Sequence, residues 1–90
     1  MAVNKDPEML EVRSTVWIGE VVRFHRKRAG ISQHALADLA GIGKTSVFDI
    51  EKGKSTVRLA TLLAVLRALN ISMLLDSPLM AEVSDTVEPS

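Results

Sequence analysis

An all-α fold is what this sequence predicts, on three observations. Apolar residues recur at helical intervals in successive segments rather than alternating. Glycines at Gly30, Gly41 and Gly53 close those segments, as helix C-termini favour. The chain has 90 residues and no cysteine, so a single small core of packed helices must hold it without disulfides or thiolate-bound metal.

The elements follow in order. Residues 1–14 are polar and interrupted by Pro7, which predicts a flexible N-terminal arm. From Thr15 the pattern is amphipathic. Trp17, Ile18, Val21, Val22 and His25 share one side, Arg23, Arg26, Lys27 and Arg28 populate the other, and Gly30 ends the helix. Ser32 stands where an N-cap belongs, and Ala35, Leu36, Leu39 and Ala40 form the apolar face of a short second helix. Gly41-Ile42-Gly43 makes a turn, with Gly41 where a left-handed backbone is needed. A third helix runs from Lys44 to about Lys52, with Val47 and Ile50 inward. LATLLAVLRAL is apolar nearly all round and predicts a buried central helix. Ile71-Ser72-Met73-Leu74-Leu75 reads as a short strand, the alternative being an extension of the preceding helix. Residues 77–90 turn to Ser, Pro, Asp and Glu and predict a disordered tail, leaving 15–76 as the folded domain.

Charge is unevenly placed. The formal total is zero, yet Val21 to Arg58 holds eight basic and three acidic residues, a net of +5, and the rest of the chain sums to −5. A basic centre between acidic ends attracts phosphate locally. The sequence contains no apolar run of the roughly 20 residues that span a bilayer and no basic-then-apolar leader, so the expected location is the cytoplasm, with no membrane partner.

The string AGIGKTS, residues 40–46, resembles the end of a phosphate-binding loop. Such a loop has a glycine five positions before the second one, and Asp38 occupies that place. A carboxylate there repels phosphate, and HALADLA before it is helical in pattern rather than extended. A nucleotide site is therefore not expected, and neither is a cofactor, a metal or enzymatic activity. Two short helices joined by a glycine turn, the second polar outside, instead make a helix-turn-helix, whose second helix enters the major groove of duplex DNA.

The run ISQHALADLAGIGKTSVFDIEKGK resembles the repressor-and-Cro (XRE) type of helix-turn-helix domain. Ser32-Gln33, Leu36-Ala37, Gly41, Val47, Ile50-Glu51 and Gly53 carry the resemblance. It implies a five-helix-type lambda-repressor-like fold. If Val47, Ile50 and Glu51 face inward, Thr45, Asp49 and Lys52 point outward, with Ser46 and Phe48 on the flanks. Lys44 and Thr45 at the helix start can reach base edges or phosphate. Asp49 has two open readings, acceptance from cytosine N4 or a solvated partner of Arg23 or Lys52. Phe48 can contact a thymine methyl or cover the domain edge. The resemblance implies that Gln33 touches a backbone phosphate and braces the recognition helix, a role Ser32 shares with capping. Lys52 and Lys54, with Arg58, place charge near the DNA backbone. It also implies that Arg26 and Glu51 form a partly buried bridge. His25 departs from the pattern and reads as a hydrogen-bonded core residue rather than a metal ligand.

GKSTVRLATLLAVLRALNISMLLDSP is similar to the same region of the HipB-like antitoxins. That likeness implies that Ile71, Ser72, Met73, Leu74 and Leu75 pair with a second copy to close a homodimer, and that a HipA-type kinase-fold toxin is a partner. The function expected is a sequence-specific repressor of an inverted-repeat operator, the antitoxin of its operon. A repressor without a toxin, and a module that mainly binds protein, are the alternatives.

Overall fold

The computed structural model describes residues 9–87, and among them there are five helices in the order α1 Thr15–Arg28, α2 Gln33–Ala40, α3 Lys44–Glu51, α4 Leu59–Ala68 and α5 Met80–Thr86. Helices α2 and α3 pack on each other, α1 lies across α3, and α4 supports α2 with a smaller contact to α3. The core between them is Val22, Leu36, Ala37, Val47, Ile50, Val65 and Leu66. Val22, Leu36, Val47 and Val65 are completely covered, and burying each such side chain contributes about 1.5–3 kcal/mol.

Helix starts use two hydroxyl caps. Ser14 Oγ accepts from the Trp17 amide and Ser32 Oγ from the Ala35 amide, each at 3.0 Å. The ends of α1 to α4 share one device. At α2, Gly41 has φ +72°, which lets the Ile42 amide reach the Ala37 carbonyl at 3.0 Å. This left-handed residue turns the chain sharply into α3. At α4 the same position is held by Asn70 at φ +62°, with Ile71 N–H donating to Leu66 O at 2.8 Å. Asparagine tolerates that backbone better than most side chains. It ends the helix, so Ile71–Leu75 is not an extension of α4.

Several expectations need correcting. The inward side of α1 is Gly19, Val22 and Arg26, with Ile18 beside them, rather than a stripe through Trp17, Val21 and His25. A Cβ at Gly19 would overlap the carbonyl oxygens of Ile50 and Glu51, so the two helices approach closely only where a side chain is missing. His25 is exposed, and its Nδ1 donates to the Val21 carbonyl at 2.7 Å on its own helix. Leu39, expected inward, is 67% exposed because α2 buries Leu36 and Ala37 instead. The expected strand 71–75 is not formed, since among the described residues no other extended segment pairs with it. The tail is not uniformly irregular, because α5 occupies residues 80–86. Its Leu79, Val83 and Val87 fall four apart, with Met80 three before Val83, a spacing the Ser, Pro and acidic composition hid. Residues 1–8 of the expected arm and 88–90 of the tail lie outside the described residues.

Candidate nucleic-acid interface

Helix α3 turns Val47 and Ile50 inward as its spacing predicts, but Asp49, expected to point directly outward, is half-buried and Phe48, expected on a flank, is exposed. Val47 and Ile50 are buried, while Lys44, Thr45, Phe48 and Lys52 are exposed and Ser46 and Asp49 are half-buried along one edge. Among the described residues, the outer row of Lys44, Thr45, Phe48 and Lys52 is left in solvent. The lead-in to AGIGKTS is helix α2 rather than a strand. The glycines there serve a helix turn, and the free amides at the start of α3 follow from it.

The orientation of α3 is held from behind by a charged cluster. Arg26 is 7% exposed. Its Nε donates to Glu51 Oε2 at 2.6 Å and its Nη2 to Glu51 Oε1 at 3.0 Å, a two-pronged pair whose Glu51 side chain is 4% exposed. Arg26 Nη1 also donates to the Ile31 carbonyl at 3.0 Å, tying the α1–α2 loop to the same guanidinium. Gln33 Nε2 completes the cluster by donating to Glu51 Oε1 at 3.1 Å. Three elements thus meet on one carboxylate. Burial acts to raise the Glu51 pKa, but hydrogen bonds from Arg26 and Gln33 and the charges of Arg26 and Arg23 outweigh it and hold it below its ordinary value. The hydrogen bond to Glu51 raises that of Arg26 against desolvation, so both charges persist at neutral pH.

The remaining candidates sort by position. Ser32 is spent on capping α2 with its hydroxyl exposed. Gln33 braces α3 through Glu51. Lys52 lies over the Phe48 ring at 5.6 Å from the centroid, and Phe48 is 47% exposed. Lys54 Nζ is 3.5 Å from Asp49 Oδ2. The partner of Asp49 is therefore Lys54 and not Arg23 or Lys52, because the turn after α3 doubles the chain back along the helix edge. Ser46, Asp49, Lys54, Thr56, Arg58 and Thr61 line an open cleft of about 310 Å³ between α3 and the start of α4. Thr56 and Thr61 were invisible to a reading of α3 alone, since they come from the following loop and helix. In the segment 71–75, Ile71 packs against the core while Leu74 and Leu75 are largely in solvent.

A helix-turn-helix family model, HTH_3, matches residues 22–75, from the middle of α1 through the segment after α4. The chain belongs to the helix-turn-helix family. An uncharacterized HTH-type transcriptional regulator of Sinorhizobium fredii, y4mF, is 36% identical over 62 residues, covering 69% of this chain and 82% of that protein. Control protein C.SmaI of Serratia marcescens is 34% identical over 56 residues, covering 62% and 67%. Among solved structures, chains from a HipA-HipB-O2-O3 complex and a HipB-O4 20mer complex match with TM-score 0.70 at 23% identity, covering 78% of this chain and 99% of theirs. That likeness is one of fold. The protein is an HTH-type, DNA-binding regulator of transcription, built on a fold that is not enzymatic. No described helix is long and apolar enough to cross a membrane.

Proposed function

We propose that this protein is a homodimeric, sequence-specific repressor that reads an inverted-repeat operator, and that it is the antitoxin of a HipA/HipB-like operon. The observation that carries the DNA reading is α3, with Lys44, Thr45, Phe48 and Lys52 facing outward over a core of Val47 and Ile50. Lys44 and Thr45 reach base edges or phosphate from the helix start, while Lys52, Lys54 and Arg58 neutralise the backbone. Ser32 and Gln33 add phosphate contacts at the start of α2.

The dimer reading rests on Ile71–Leu75. Leu74 and Leu75 are exposed, and the segment's backbone has no ladder partner among the described residues. Pairing across a two-fold axis covers both deficits at once. Two recognition helices then lie roughly 34–36 Å apart, one turn of duplex. The likeness to a chain in a HipA-HipB-O2-O3 complex supports a kinase-fold toxin as the further partner.

The test is a titration of the chain against duplex from upstream of its own reading frame. Affinity should fall linearly with log salt, with a slope of about −0.9 per phosphate contact. Lys44→Ala with Thr45→Ala should remove binding while leaving the fold intact. Affinity that is absent or insensitive to salt overturns the DNA reading. Failure of a neighbouring kinase-fold protein to co-purify overturns the antitoxin reading alone.

A further inference from the structure

The cations at the end of α3 are not free. Lys54 is bound to Asp49 twice, through its ammonium at 3.5 Å from Oδ2 and through its backbone amide, which donates to the Asp49 carbonyl at 3.0 Å. The second bond belongs to the turn and fixes the Lys54 backbone beside Asp49. The first is a side-chain contact that can be exchanged, since Lys54 is largely exposed and the Asp49 side chain is 28% exposed. Asp49 also borders the polar cleft together with Arg58. A carboxylate at the groove edge of a DNA-reading helix is an anomaly. It opposes every phosphate it approaches, and it can only accept hydrogen bonds.

Resting on the DNA reading above, we infer that Asp49 is a selectivity residue, and that its pairing with Lys54 withholds one phosphate contact until a base amino group replaces the lysine. On a duplex of arbitrary sequence, Asp49 keeps Lys54 as its counter-charge, and one cation is lost to the backbone. On a site that presents cytosine N4 or adenine N6, both donors in the major groove, the base satisfies the carboxylate. Lys54 then turns to the adjacent phosphate. Base identity is thereby coupled to a backbone contact that by itself carries no sequence information. Asp49 thus lowers affinity for wrong sequences more than it raises affinity for the right one.

The experiment selects a preferred duplex from a randomised pool with the unaltered chain. Affinity and salt slope are then measured on that duplex and on a scrambled one, for the unaltered chain, Asp49→Asn, Lys54→Gln and the double variant. In the unaltered chain the preferred duplex should show a salt slope steeper by about 0.9, one phosphate contact, than the scrambled duplex. Asp49→Asn should bind the scrambled duplex more tightly, take on the steeper slope there, and reduce the preference between the two duplexes about ten-fold. Lys54→Gln should abolish the slope difference, and adding Asp49→Asn to it should leave both slopes unchanged. Equal slopes on the two duplexes in the unaltered chain, or an Asp49→Asn variant with its preference and scrambled slope unchanged, overturns the inference while leaving the DNA reading standing. No salt-dependent binding of any duplex by the unaltered chain overturns both.

Discussion

The helices α1–α4 and the segment from Ile71 to Val87 are both rich in apolar residues at helical spacing, yet they end in opposite conditions. In the first region, no buried side-chain nitrogen or oxygen among the described residues lacks a partner, and the large apolar residues at the centre are fully covered. In the second, Leu74, Leu75 and Leu79 stand mostly in solvent, Leu75 at 79%, and α5 takes no part in the main helix packing. The difference is one of geometry rather than composition. Three helices converge around Glu51 and satisfy one another, whereas after Asn70 only Ile71 still packs against that body and Leu74, Leu75 and Leu79 do not. Burial needs an opposing surface, and among the described residues none lies over Leu74, Leu75 and Leu79.

Breaking the charged cluster should produce the largest effect. Arg26→Ala or Glu51→Ala leaves the surviving charge buried without its counterpart, and urea unfolding should show a loss of about 3–5 kcal/mol. The same cluster sets the acid response. Because the folded Glu51 pKa lies below the unfolded one, its contribution is complete above the unfolded value and disappears as pH falls through the folded one. Stability measured from pH 7 downward should therefore decline in the acidic range, and Glu51→Gln should lose that part of the decline. A chain whose stability ignores Glu51→Gln at every pH would mean that the first region is not braced in this way.

Gly19→Ala comes next. The added methyl group meets the end of α3, and the required shift should cost about 1–3 kcal/mol in the same unfolding assay. Ser32→Ala removes one cap and should cost about 1 kcal/mol. Smallest is the effect in the other region. Leu74→Ser with Leu75→Ser should change unfolding of the dilute monomer by no more than about 0.5 kcal/mol, since neither contributes to the core. Light scattering should nevertheless show a loss of self-association. If unfolding responds strongly in the monomer, the contrast between the regions is wrong.

The parts of the site legible in the sequence are those governed by local rules. The inward side of α3 follows from helical spacing, Ser32 from its place before an apolar-periodic run, and Gly41 from the left-handed turn. The α1 face was misassigned because Gly19 has no side chain to register in an apolar pattern and Arg26 reads as a surface charge. The partner of Asp49 was missed because choosing among Arg23, Lys52 and Lys54 requires the path of the chain after Gly53. The helix in the tail was missed because four apolar residues among Ser, Pro and carboxylates fall below what composition alone reveals.

The amino-acid order by itself determined the number and approximate ends of the first four helices, the Ser32 cap, the glycines that close α1 to α3 and the inward side of α3. Each of these depends on neighbours within about four positions, through the helical repeat and the φ preference of glycine. Only the tertiary structure decided that Gly19 admits α3 against α1, that the Ile31 carbonyl and the Gln33 amide join the Arg26–Glu51 pair the family resemblance implied, and that Lys54 closes on Asp49. Those contacts join residues that spacing along a single helix cannot bring together, because the direction in which each element leaves its turn sets which side chains come within reach.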